Sequence, residues 1–255
     1  FPTRRSSDLA NSDDIVGQVT KANTCDIDNA VSNAKKAFTA WSRVSPQKRA
    51  DILLKTADKL QEHYVELLNI LVREAGKTLQ NAIAEVREAV DFCRYYAKQV
   101  VSEFDNETHK ALGVFVCISP WNFPLAIFMG EISSALLAGN TVIAKPSYQT
   151  NLVAFYAVEL FYEAGMPRDV LQLMPGSGSI IGNGLTQHQD VVGVIFTGST
   201  EVAQTINRNL SVKVDRNILI AETGGQNTMI VDSSALPEQV VTDVISSGFD
   251  SAGQR

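Results

Sequence analysis

From Asp26 to about Phe104, apolar residues recur three and four apart, the period of helices that bury one face. Asp26 is placed to cap a helix carrying Ile27, Ala30, Val31, Ala34, Ala37 and Phe38. Ser45-Pro46 is a second start signal, a cap followed by proline in the first turn. The residues Ile52, Leu53, Ala57, Leu60, Tyr64, Leu67, Leu68 and Leu71 then form the stripe of one long helix, which Gly76 ends. A third helix starts near Thr78 and carries Ile83, Val86, Val90, Cys93, Tyr96 and Ala97, so Cys93 is accounted for by packing.

After Leu112 the period changes. Short apolar runs at Gly113–Ile118, Thr141–Ala144, Val170–Met174, Val191–Phe196, Ile218–Ala221 and Thr228–Val231 alternate with helical stretches at 124–139, 150–165, 178–186, 199–210 and 237–252. Strands separated by helices imply crossover connections and a mostly parallel sheet covered on both faces. The expected fold is α/β: a helical N-terminal segment followed by a doubly wound, Rossmann-like sheet. Ligands in such sheets sit at the carboxyl ends of the strands. Ser102–Lys110 leaves room for a turn or small hairpin only. Residues 1–14 match nothing downstream in character and lack the apolar centre of a signal peptide. They are expected to lie outside the fold, as an added or disordered segment, with 15–255 forming one domain.

Composition narrows the function. The chain is 255 residues long and 45% hydrophobic, with a mean hydropathy of −0.01, which suits a soluble globular domain with a real core. Its net charge of −6 comes from interspersed acidic and basic residues, which argues against a nucleic-acid or anionic-membrane partner. No apolar run reaches the roughly 18 residues of a membrane span. Cys25, Cys93 and Cys117 are widely spaced and have no histidine at ligand spacing, as expected for a reducing cytoplasm and no metal site. His63, His109 and His188 stand singly.

The polar motifs fall where strands end. Gly198-Ser199-Thr200 follows a strand and opens a helix, where free N–H groups and the helix dipole favour a pyrophosphate. Gly176-Ser177-Gly178-Ser179-Ile180-Ile181-Gly182 is a second loop of that kind, although an ordinary glycine turn explains either loop alone. Lys145 at a strand end suits a ribose hydroxyl or plain solvent. Glu222 ends a strand just before Thr223-Gly224-Gly225, which suits a general base. Asn122, between Trp121 and Phe123, offers an uncharged N–H₂ to a developing oxyanion, or sits in a simple turn.

Taken together, Pro120-Trp121-Asn122-Phe123-Pro124, Phe196-Thr197-Gly198-Ser199-Thr200 and Glu222-Thr223-Gly224-Gly225 resemble the aldehyde dehydrogenase superfamily over nearly the whole chain. Val72–Thr78, Glu85–Phe92, Asp105–His109 and Ala221–Leu236 resemble, more narrowly, the L-glutamate γ-semialdehyde (pyrroline-5-carboxylate) dehydrogenase module of bacterial proline utilisation A proteins. The resemblance implies oxidation of a small aldehyde with NAD. A cysteine thiolate attacks the aldehyde, Asn122 steadies the oxyanion, hydride leaves for the nicotinamide, and Glu222 activates the water that releases the acid. It also implies that Ser119, Pro120, Trp121, Lys145, Ser147, Gly178, Gly182, Phe196, Thr197, Gly198, Ser199 and Gly224 line the cofactor site, and that the full-length protein is a homo-oligomer.

Two departures stand out. The family commonly has Glu three residues after the lysine, and Tyr148 stands there instead, so NADP enters beside NAD as a candidate. The family's cysteine would fall just past Arg255, which makes the chain an expected N-terminal fragment, inactive alone and lacking the catalytic domain. A non-catalytic dinucleotide-binding protein and half of a split enzyme are the alternatives. Glu85 and Glu88 are candidates for a substrate entrance or for a solvated helix face.

Overall fold

The computed structural model describes residues 3–213 and 217–253. Phe1 and Pro2, part of the segment expected to lie outside the fold, are outside the described residues.

Residues 3–14 correct that expectation. Strand β1 (Thr3–Ser7) pairs antiparallel with β2 (Ile15–Thr20), with a register shift between Ser6 and Ser7. Polar partners distant in sequence hold this ribbon. Ser6 Oγ donates to Glu74 Oε1 at 2.6 Å, and the same carboxylate accepts the backbone N–H groups of Leu152 and Val153 at 2.9 and 3.0 Å. Arg73 reaches Asp14 at 2.7 Å.

Helix α1 (Thr24–Trp41) is capped at Asn23, three residues earlier than Asp26 capping requires. Asn23 accepts from the Cys25 N–H at 2.8 Å, while Asp26 reaches back to the Asn23 N–H at 2.7 Å, so Asp26 is the reciprocal partner in a capping box. The expected long helix is two helices, α2 (Pro46–Glu62) and α3 (Tyr64–Ala75), with the break at His63 (φ −96°, ψ 26°). His63 Nδ1 lies 2.7 Å from the Tyr156 hydroxyl, a contact no local pattern encodes. Gly76 ends α3 at φ 64°, a left-handed conformation that glycine adopts without Cβ strain. Helix α4 (Leu79–Glu103) starts at the Thr78 cap and buries Val86, Val90 and Cys93, as the pattern indicated.

The sheet comprises β3 (Val114–Ile118), β4 (Thr141–Lys145), β5 (Leu171–Leu173), β6 (Val191–Gly198) and β7 (Ile218–Thr223). All are parallel, in the order β5-β4-β3-β6-β7. Four crossovers join them: α5 (Ala126–Leu137), α6 (Asn151–Glu163), a π-helical turn (Gly178–Gly182) leading into α7 (Asn183–Gln187), and α8 (Thr200–Ser211). Alternate residues face opposite cores, as strand geometry requires. Phe115, Cys117, Val142 and Ala144 pack under α2 to α6, whereas Val114, Val116, Ile118, Ile143 and Phe196 pack under α1, α7 and α8. Strand order reverses between β3 and β6, which opens a crevice at their carboxyl ends.

One strand expectation is overturned. Residues 228–231 form no strand and are exposed, since β7 is the sheet edge and no further described strand supplies a ladder beside it. Helix α9 (Pro237–Gly253) follows. Among the described residues no helix is long and apolar enough to cross a membrane.

Candidate active site

A cleft of 710 Å³ lies over the carboxyl ends of β3, β4, β6 and β7. It gathers Ser119, Pro120, Trp121 and Asn122 from the loop after β3, and Lys145 and Ser147 from the end of β4. Gly178 comes from the loop after β5; Phe196, Thr197, Gly198 and Ser199 from β6 and its turn; Glu222 and Gly224 from β7. Of the catalytic and cofactor-site residues that the resemblance implies, only Gly182 is absent from this lining. It sits in an adjoining 310 Å³ recess that shares Lys145, Gly178 and Val202 with the cleft.

The two faces of the sheet divide the cleft. Lys145 pairs in register with Ile118 and lies on the α1–α7–α8 side, where a Cβ added at Gly182 would come 3.6 Å from Lys145 Cε. Its ammonium is buried and donates to the Pro146 carbonyl at 2.9 Å. Burial lowers its pKa to about 8. Ser199 caps α8 by accepting the Val202 N–H at 3.3 Å. A Cβ at Gly198 would meet Phe196 Cζ at 2.5 Å, so this turn needs a bare backbone. This side therefore offers a buried cation and a 12-residue helix start, a donor set that fits a pyrophosphate and ribose.

On the other side stand Thr197 and Glu222, while Asn122 lines the cleft from the loop after β3. Thr197 and Glu222 are register partners in β6 and β7, so their side chains share a face. The loop holding Asn122 is braced from below. The Lys77 ammonium lies 4.2 Å from the Phe123 ring centre and 3.0 Å from Glu85 Oε1, and Glu85 Oε2 accepts the N–H groups of Leu125 and Ala126 at 3.0 and 3.1 Å. Burial pushes the Glu85 carboxyl up while Lys77 pulls it down. Glu85 is thus a buried brace and not part of an entrance; Glu88 is exposed on α4.

Two features escaped the sequence reading. Glu131 of α5 is buried beneath the cleft, and its Oε1 accepts from Thr197 Oγ1 at 2.8 Å. Burial raises its pKa well above the usual carboxylate range. The available signal was a lone carboxylate among apolar and small residues in α5. The second is Lys21, whose ammonium lies 5.1 Å from the centre of the Tyr148 ring at the mouth of the cleft. None of the cysteines lines the cleft. Cys93 and Cys117 are buried, with the Cys93 thiol pushed up to about 12 and that of Cys117 raised by burial and by Glu131, and Cys25 is exposed on α1.

Known proteins are similar to this chain in sequence and fold. The bifunctional protein PutA of Salmonella typhimurium is 56% identical over 246 residues, which are 95% of this chain and 19% of that protein. The 1-pyrroline-5-carboxylate dehydrogenase of Anoxybacillus flavithermus is 39% identical over 262 residues, 96% of this chain and 51% of that protein. A crystal structure of 1-pyrroline-5-carboxylate dehydrogenase from Thermus with bound NAD superposes with a TM-score of 0.93 at 33% identity, covering 100% of this chain and 52% of that one. The chain spans about half the length of the dehydrogenases and about a fifth of the bifunctional protein. The profile described as the aldehyde dehydrogenase family matches residues 6–255, and with this cleft and fold the chain belongs to that family.

Proposed function

We propose that this chain supplies the dinucleotide site, the oxyanion donor and the general base of an NAD-dependent dehydrogenase that oxidises L-glutamate γ-semialdehyde to L-glutamate in proline catabolism. The observation that carries this reading is the convergence of Asn122, Lys145, Ser199 and Glu222, from four different strand ends, on one cleft. Likeness to the PutA and 1-pyrroline-5-carboxylate dehydrogenase chains supports the choice of aldehyde and of NAD. The whole protein is proposed to be a cytoplasmic homo-oligomer, in keeping with three free cysteines.

When bound, the nicotinamide accepts hydride. Lys145 and the α8 start hold the anionic and ribose portions on one side of the sheet, and Gly198 lets backbone approach them. From the loop after β3 the Asn122 amide donates to the oxyanion that forms when a thiolate adds to the aldehyde. Glu222 then takes a proton from the water that attacks the thioester. The thiolate is none of Cys25, Cys93 or Cys117, since none lines the cleft.

Glu222→Gln in a chain that carries the nucleophile separates these steps. Hydride transfer needs no base at Glu222, so one equivalent of reduced nicotinamide should form in a burst and steady turnover should fall by about 100-fold or more. Unchanged steady turnover would remove Glu222 from the base role.

A further inference from the structure

Glu131 is used by none of these steps, yet its setting is specific. Its Oε1 takes the Thr197 hydroxyl hydrogen at 2.8 Å, and its Oε2 is buried without a hydrogen-bond partner among the described residues. Burial raises its pKa well above the usual carboxylate range, and Oε1 is the acceptor in the contact with Thr197. A threonine hydroxyl has one hydrogen and two lone pairs. Since Glu131 takes the hydrogen, Thr197 presents only lone pairs to the cleft it lines. Its register partner Glu222 is an acceptor as well when ionised. Thr197 also directly precedes Gly198-Ser199, which places it between the proposed pyrophosphate turn and the proposed base.

We infer that Glu131 is a specificity-determining positioning residue: by taking the Thr197 hydrogen it makes the cleft floor an acceptor for a neutral N–H donor, namely the carboxamide N–H₂ of the nicotinamide ring. This inference rests on the cleft being the dinucleotide site. Glu131 touches no ligand itself and acts through Thr197. A floor of acceptors favours a ring substituent that donates and disfavours one that offers only a carbonyl, because a buried acceptor left unpaired costs free energy.

The test is equilibrium binding of this chain to NAD and to 3-acetylpyridine adenine dinucleotide, in which a methyl replaces the amide N–H₂. The wild-type chain should bind the analogue about fivefold more weakly, the effect of one net hydrogen bond. In Glu131→Gln the amide N–H₂ can donate to Thr197, freeing the hydroxyl hydrogen to point into the cleft, and the preference should shrink to about twofold or less. Thr197→Val, which removes the hydroxyl at nearly constant shape, should abolish it and serves if Glu131→Gln does not fold. Equal affinity of the wild type for both nucleotides would overturn the inference, as would a loss in Glu131→Gln shared equally by both. Failure of the wild type to bind either nucleotide would overturn the cleft reading itself, and this inference with it.

Discussion

Glu131 and Lys145 are buried ionisable groups on opposite faces of the same sheet edge, and burial moves them in opposite senses. Glu131 has a folded pKa above its ordinary 4.5, so above that pH the native state holds a proton that the unfolded chain releases. Stability should therefore fall as pH rises from about 4.5 towards the folded pKa. Glu131→Gln should abolish that part of the slope and be the more stable protein at pH 7, as measured by urea unfolding at pH 5 and pH 8. Lys145 has its pKa lowered from 10.5 to about 8, so between those values the unfolded chain binds the extra proton and stability should rise with pH. Below about pH 8 the full burial cost is present. Lys145→Met should accordingly stabilise the free chain by about 1–3 kcal/mol while weakening nucleotide binding. At Tyr148 the cleft mouth carries no carboxylate to claim a ribose 2′-hydroxyl, and Lys21 lies against the ring. NADP should thus bind within about tenfold of NAD, and Tyr148→Glu should widen that gap at the expense of NADP; direct titration of both nucleotides checks this.

Between residues and molecule, elements owe their placement to contacts of very different range. Helix starts at Ser45 and Thr78, the left-handed stop at Gly76 and the strand and helix alternation after Leu112 were legible because each rests on neighbours a few residues apart. The break at His63 was not, because the apolar stripe runs on without interruption while the partner, Tyr156, belongs to α6. Residues 228–231 failed for a related reason: β-branched composition suits a strand, but a strand exists only where a neighbour completes the ladder. The site shows the same division. Its polar residues stand in recognisable strand-end motifs, whereas Glu131 and Glu85 reach the site from helices and Lys77 from the link between α3 and α4, and their contacts with it show only once packing is known. The Lys77–Glu85 pair fixes the start of α5 and the loop carrying Asn122. Glu85→Leu should leave the Lys77 charge buried and unpaired and cost about 3–5 kcal/mol, seen as a lower urea midpoint.

For the molecule as a whole, the parallel sheet divides one cleft between its two faces, with Lys145 and the start of α8 on one and Thr197 and Glu222 on the other, which is the separation the proposed dinucleotide and aldehyde chemistry would use. The flank beyond β7 is different in character. Ile230 is 89% and Phe249 72% exposed, with Ile220, Val241 and Ile245 exposed beside them in sequence on β7 and α9. Apolar surface of that kind promotes association. Light scattering should show concentration-dependent association of this chain, relieved when Ile230 and Phe249 are both replaced by lysine; a monodisperse wild-type monomer at all concentrations would contradict this. The central claim is that the strand ends of β3, β4, β6 and β7 form a dinucleotide site. Calorimetric titration of the chain with NAD tests it most directly, alongside Gly198→Val, whose Cβ would collide with the Phe196 ring. Saturable one-to-one binding by the wild type, lost in the folded Gly198→Val variant, is the predicted result. No binding by the wild type, or equal binding by both, would contradict it.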